Sequence, residues 1–303
     1  MSAAPILAPS VPRLSPRQRA MLVEMGVPVW WPADSEPTSP PAAAQAATRA
    51  MPEAPTRPEA KPVDAPPPPR VPHGPPGVPA AQAAAPVTPG GTEHPAPLLP
   101  DLPSLEACVH DCRRCVLGQR RQRAVPGMGD AQPDWLIVGE APGEEEDRQG
   151  LPFVGRAGQL LDRMLAAIGL ARGHKVYIAN IIKCRPPLNR NPDPAEIAQC
   201  SPYLLRQIAL LRPRLIVAMG RFAAQTLLAE GGTLPPETAR QMPLGKLRGQ
   251  VHRASLGGLE LPVIVTYHPA YLLRSPAEKA KAWADLCLAL ETFDALPAPF
   301  SKP

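Results

Sequence analysis

Aromatic residues are scarce in this chain. They make up 4% of 303 residues, against 46 prolines, and a chain so composed cannot pack its whole length into a core. One folded domain of about 200 residues is the expectation. Long apolar runs are missing as well: none approaches the roughly 20 residues of a membrane-spanning helix. Residues 1–30 also lack the ordered basic, apolar and small-residue zones of a signal peptide, so a cytoplasmic protein is expected. In that reducing compartment six cysteines read as ligands or buried thiols, not as disulfides. Strong charge is absent too. The net charge is +5, and the whole excess falls after residue 100, where 25 Lys and Arg face 20 Asp and Glu. This slight basic balance suits a polyanionic partner without requiring one.

Four regions follow from the composition. Residues 1–33 hold one short patterned element, Ser15 to Met25, with Ser15 as cap, Pro16 in the first turn and Gly26 as stop; Trp30 and Trp31 come soon after. A helix too short to stand alone, followed by paired tryptophans, fits a docking peptide that folds on a partner, or a piece that packs back on its own domain. Residues 34–100 contain 20 prolines in 67 positions with much alanine, and so form a disordered, extended linker. The folded domain spans residues 101–297, and residues 298–303 are a tail.

Within the domain, Trp135 to Gly139, Val176 to Asn180, Arg214 to Gly220 and Leu261 to Thr266 read as strands, separated by segments with helical periodicity. Leu105 to Leu117 reads as a helix, Gly155 to Ile168 as a second with an apolar stripe, and Asp193-Pro-Ala-Glu196 as a capping box opening a third. Strands alternating with helices imply an α/β fold, a three-layer α/β/α arrangement around a mainly parallel four-stranded sheet. Ligands of such sheets sit beyond the carboxyl ends of the strands, which places Glu140, Asn180 and His268 on one rim.

The turn Gly139-Glu-Ala-Pro-Gly143 lacks the Gly-Lys-Ser/Thr of a P-loop, and the acids Glu144 to Asp147 would repel a triphosphate. Those acids either face a neutral ligand or form a solvated helix start. Cys112-x2-Cys115, with Cys184 and Cys200, supplies four thiolates, enough for a structural zinc or a [4Fe-4S] cluster; spacing does not choose between them. Cys108 reads as a spare thiol and Cys287 as core. Phe153, in a loop at a strand-end site, suits either the core or a stacking platform.

Five segments in order, Gly139 to Asp147, Pro152 to Leu161, Val176 to Asn180, Lys183-Cys-Arg-Pro-Pro187 with Asn189-Arg190, and His268 to Arg274, closely resemble the family 4 uracil-DNA glycosylases over roughly residues 105–295. The resemblance implies base excision from uracil-containing DNA through a flipped-out nucleotide. It also implies a [4Fe-4S] cluster on Cys112, Cys115, Cys184 and Cys200. Asn180 matches the residue that pairs with the uracil edge, an amide offering both donor and acceptor. Phe153 matches the stacking residue, Glu146 one that crowds the uracil C5 position, and His268 the donor near uracil O2. Ala141 stands where family 1 enzymes carry a catalytic aspartate, which leaves Glu140 either to orient water or to hold the loop in shape.

Leu272, Leu273 and Arg274 follow the histidine where related enzymes insert a wedge, and Lys183, Arg185 and Arg190 are candidate phosphate contacts. A non-catalytic iron-sulfur DNA-binding or redox-sensing module is the competing reading. A DNA cross-linking relative is disfavoured, since no basic insert follows Pro187. Residues 22–30 look faintly like the amino-terminal peptide of a polymerase III ψ subunit, so a replisome component is the partner expected for residues 15–32. The enzyme itself is expected to be a monomer.

Overall fold

The structure, a computed structural model, describes residues 94–297 and, outside them, Glu24. The docking peptide, nearly all of the linker and the tail therefore lie outside the described residues. Packing begins at His94, ahead of the expected domain start at 101: a short 3₁₀ turn, Ala96–Leu98, buries Ala96 in a small cluster with Leu105, Val109 and Tyr203.

In chain order the elements are α1 (Leu102–Asp111), α2 (Val116–Arg120), β1 (Met128–Gly129), β2 (Trp135–Gly139), α3 (Glu144–Gln149), α4 (Arg156–Ala167), β3 (Val176–Asn180) and α5 (Pro194–Leu211). After these come β4 (Leu215–Met219), α6 (Arg221–Glu230), α7 (Pro236–Gln241), α8 (Leu244–Leu247), β5 (Val251–Leu256), β6 (Leu259–Thr266), α9 (Pro269–Arg274) and α10 (Lys279–Asp294).

The four expected strands form the centre of the sheet, all parallel, but the sheet is wider and mixed: six strands in the order β1-β3-β2-β4-β6-β5. Its two edges are antiparallel, β1 on β3 and β5 on β6. Both edges escape sequence pattern for physical reasons, β1 being two residues long and β5 having one mostly solvated face instead of a continuous apolar run.

The central strands β2, β3 and β4 are buried throughout, and alternation along them builds two cores. Leu136, Val138, Ile216 and Ala218 face α5 and α6; Trp135, Ile137, Leu215 and Val217 face α4 and α10. The result is the three-layer α/β/α stack. Three further features of the elements are notable, one being that Pro202, which by its chemistry could break or kink a helix, lies within α5. The helix expected over 105–117 breaks after Asp111, because Cys112 and Cys115 take extended backbone, and the C-x2-C pair lies in the connection between α1 and α2. Pro202 does not interrupt α5, which runs on to Leu211. At its start Glu196 accepts the Asp193 N–H at 2.9 Å, as the capping pattern requires. Finally, Leu259 and Glu260 extend the fourth expected strand at its start.

Candidate active site

The carboxyl ends of the parallel strands are level. Gly139 is opposite Asn180 and Met219 opposite Thr266, so the segments that follow emerge together. They enclose a cavity of about 610 Å³. Glu140, Ala141 and Glu146 line it from the β2 side, with Phe153 ahead of α4 and Asn180 at the end of β3. Arg190, His268 and Arg274 complete the sequence-nominated residues that reach it. Leu272 and Leu273 do not line it. The structure separates those two: Leu272 is fully buried against the α4 and α10 core, whereas Leu273 is 38% exposed on α9.

Asn180 is buried, yet its Oδ1 has no hydrogen-bond partner among the described residues. A buried acceptor without a donor is costly unless a ligand supplies one. Gly139 makes room for it: a Cβ there would overlap Asn180 Oδ1 and come within 2.5 Å of Phe153 Cζ. Phe153 is held in the left-handed region, φ 54°, where a bulky residue is strained. Arg172 fixes that conformation by donating to the carbonyls of Pro152 and Phe153 at 2.8 and 2.9 Å while pairing with Asp162. Gly158 is required beneath it, since any side chain there would run into the Phe153 carbonyl.

The Phe153 ring stacks on His268, centroids 5.4 Å apart. His268 caps α9, its Nδ1 accepting the Ala270 N–H at 3.1 Å. Enclosure by protein, with Arg274 nearby, lowers its pKa to about 4. The ring is therefore neutral at pH 7, and its proton sits on Nε2. Gly220, at φ 91°, leaves space for it, because a Cβ at that position would be 3.1 Å from His268 Cβ.

The four acids divide their work. Glu144 and Glu145 are exposed and pair with Arg185 and Arg148, so the solvated helix start describes them. Asp147 is buried and accepts the N–H groups of Gln122 and Arg123. Only Glu146 faces the cavity. Its Oε2 accepts from the Gly143 N–H at 3.0 Å, and Oε1 accepts from Val154 and Gly155 at 2.9 and 3.1 Å, so it ties the turn to the Phe153 loop. Burial raises the pKa of Glu140, and Arg221 opposes that shift.

Arg221 lines the cavity as the first residue of α6, and sequence reasoning passed over it. It follows the end of β4, where the strand-end rule applies equally. Arg190 forms a two-pronged ion pair with Glu196, at 2.6 and 3.0 Å, and Arg185 bonds Asn189. Lys183 overturns its expected role as a phosphate contact. It is 1% exposed and donates to the Asn180 carbonyl and Gln207 Oε1, both at 2.7 Å.

Cys112, Cys115, Cys184 and Cys200 are drawn from the α1–α2 connection, the segment after β3 and α5. Cys184 lies within electrostatic reach of Cys112 and Cys115, and Cys200 within reach of Cys184 and Cys115. Among the described residues no three His, Cys, Asp or Glu side chains close on one metal ion. Four cysteine sulfurs are the donor set that a [4Fe-4S] cluster or a structural zinc takes. Burial pushes the Cys184 thiol up to about 11 and the Cys200 thiol up to about 12, so thiolates there need positive charge beside them. Arg121, also unforeseen, donates to Cys184 Sγ at 2.9 Å and to the Val109 and Cys112 carbonyls. Cys108 contacts the Tyr203 hydroxyl instead, and Cys287 packs at the edge of the α10 core.

Taken together, a buried unpaired amide, an aromatic wall and a neutral imidazole donor at the carboxyl edge of an α/β sheet define a pocket for a planar heterocycle. Comparison with known proteins gives it a family. A family model described as Uracil DNA glycosylase superfamily matches residues 126–287, more than half of the chain. A type-4 uracil-DNA glycosylase of Pyrobaculum aerophilum is 42% identical over 188 residues, covering 62% of this chain and 92% of that protein. Type-4 uracil-DNA glycosylases of Archaeoglobus fulgidus and Thermotoga maritima are 44% and 40% identical, covering 55% and 57% of this chain and 81% and 83% of their own lengths. The chain belongs to the uracil-DNA glycosylase superfamily, on its type-4 branch.

Proposed function

We propose that the chain removes uracil from DNA by hydrolysing the N-glycosidic bond of an extruded nucleotide, leaving an abasic site for base excision repair. The observation that carries this reading is the unpaired Oδ1 of buried Asn180 beside the Phe153 wall. Uracil offers an N3–H to that acceptor and a carbonyl oxygen to the amide N–H groups; cytosine presents the reverse pattern and would leave both sides unpaired. Phe153 stacks on the base, and Glu146, fixed by its three amide donors, walls the C5 side.

As the bond to C1′ breaks, its electron pair moves into the base, and the Nε2–H of His268 donates to the charge growing on uracil O2. A water attacks C1′ and loses its proton. Ala141 cannot accept that proton, so it passes to the Glu140 carboxylate, whose charged form Arg221 favours against burial, and the uracil leaves as its anion. Arg274 and Leu273 meet the duplex from α9, and Arg190 holds the facing loop on which a phosphate rests.

Cys112, Cys115, Cys184 and Cys200 would hold a [4Fe-4S] cluster, which would cross-link the α1–α2 connection, the β3 exit and α5. On sequence grounds the catalytic domain is joined by the linker of residues 34–100 to a peptide, residues 15–32, that tethers a monomeric enzyme to a replisome component.

Purified protein incubated with uracil-containing single- and double-stranded DNA is expected to give abasic product, seen as alkali-labile cleavage. Binding without product would favour the non-catalytic module, and a covalent adduct the cross-linking relative. An absorbance band at about 400 nm tests the cluster. Unchanged capture of replisome components by Trp30→Ala and Trp31→Ala protein would remove the tether.

A further inference from the structure

The loop that leaves β3 ends in a side chain the free protein has no use for. Leu188 is 96% exposed, the most exposed large apolar residue among those described. Its backbone, and that of Asn189, sit in the left-handed region, both at φ 54°, which leucine avoids. Neither exposure nor strain is an accident of a slack loop. Pro186 and Pro187 stiffen the approach, the N–H groups of Asn189 and Arg190 donate to the carbonyls of Pro186 and Pro187, and Arg185 bonds the Asn189 side chain at 2.8 Å. Beyond the tip, the Arg190–Glu196 pair ties the chain to α5. A rigid, strained loop that points an apolar side chain into water implies a partner outside the chain.

The neighbourhood says which partner. Pro186, Asn189 and Arg190 line the base cavity, so Leu188 stands on its lip. Across the mouth, Leu273 is exposed on α9, after β6. β3 and β6 are separated in the sheet by β2 and β4, three strand spacings or roughly 14 Å. Two apolar side chains thus bracket the opening through which a nucleotide must pass. Arg221 and Arg274, both on the lining, add positive charge between them.

We propose that Leu188 is a second wedge, which enters the base stack of duplex DNA beside the extruded nucleotide from the side opposite Leu273. Apolar side chains placed between base steps hold such a gap open. The inference rests on the reading of the cavity as a uracil pocket, and it concerns only the duplex, since a single strand has no stack to part.

The test uses the full holoprotein and single-turnover excision of uracil from matched single- and double-stranded oligonucleotides. Leu188→Gly removes the side chain and relieves the left-handed strain, so the fold is kept; Leu188→Met restores an apolar side chain. The duplex-to-single-strand rate ratio is expected to fall about tenfold in Leu188→Gly and to recover in Leu188→Met. With 2-aminopurine beside the uracil, the fluorescence rise that marks unstacking should shrink in the glycine variant. Wild-type excision with an unchanged ratio in Leu188→Gly overturns the wedge alone. Wild-type protein that releases no uracil from either substrate overturns the pocket reading and the wedge with it.

Discussion

Nδ1 of His268 accepts the backbone N–H of Ala270 at 3.1 Å, and that bond decides which ring nitrogen faces the cavity. With Nδ1 occupied as an acceptor, the neutral ring must carry its proton on Nε2, so a donor is aimed at the base without a positive charge. Removing it should cost excision about 100- to 1,000-fold, the usual loss when one oxyanion donor is deleted. His268→Ala is therefore expected to bind uracil DNA but to excise slowly in a single turnover. Near-normal excision would show that leaving-group stabilisation lies elsewhere.

The same ring sets a pH expectation whose sign can be worked out. Folding lowers its pKa from 6.5 to about 4, so its contribution to stability is complete above pH 6.5 and is lost as pH falls toward 4. Excision should accordingly show no inflection near 6.5. An acid limb is expected instead from Glu140, whose pKa burial raises and Arg221 lowers. Losing the Arg221 cation should push that pKa further up. The limb should then move to higher pH in Arg221→Ala, return in Arg221→Lys and vanish in Glu140→Gln. A rate profile that keeps its limb in Glu140→Gln would exclude that carboxylate as its source.

Gly139 offers a test of the pocket that leaves its chemistry intact. A methyl at that position meets Asn180 Oδ1 and the Phe153 ring together, while the β-strand backbone tolerates alanine. Gly139→Ala is expected to raise KM for uracil DNA by at least about tenfold with a smaller change in kcat, because the base is displaced before reaction begins. Equal KM values in the two proteins would mean that the base does not lie against this wall.

Much of this is legible in the amino-acid sequence, and what is not has identifiable causes. The four parallel strands announce themselves as short apolar runs ending at turn residues, and the strand-end rule gathers Glu140, Asn180 and His268 on one rim. The same rule reaches Arg221 at the exit of β4, where an arginine after a glycine carries no chemical signature of its own. The partners of a basic residue are a different matter. Nothing between Ile182 and Cys184 says that Lys183 turns inward, because its acceptor, Gln207, arrives from α5, 24 positions later. Arg121 is similar: its target, Cys184, is 63 residues away. Exposure of Leu188 is equally unreadable, since a leucine after two prolines gives no sign of which way it points.

Arg121 leads to a prediction about the proposed cluster. Its guanidinium donates to the Cys184 sulfur at 2.9 Å, and such charge-assisted donation favours the thiolate that a metal would need. Arg121→Ala should leave uracil recognition in place but bleach the band at about 400 nm faster under chelator. Arg121→Lys is expected to slow that loss, as a point charge without the forked geometry. Identical bleaching in all three proteins would reduce Arg121 to a clip for the α1 carbonyls it also bonds.

Lys183 joins that region to the pocket. Its Nζ donates to the carbonyl of Asn180 and to Gln207, and Gln207 passes the connection on by donating to the Pro126 carbonyl at 2.8 Å. Every member of the chain is buried, so no water replaces a missing partner. Lys183→Met fills the same space but strands an amide oxygen and a backbone carbonyl, at a cost of about 1–3 kcal/mol for each group left without a donor. For a domain of this size that corresponds to a fall in Tm of roughly 5–15 °C. Gln207→Leu alone removes an acceptor of Lys183 and strands the Pro126 carbonyl, so if the two side chains are coupled the double variant with Lys183→Met should lose less than the two single losses added. Losses that add in full would show that Lys183 does not couple α5 to the strand end bearing Asn180.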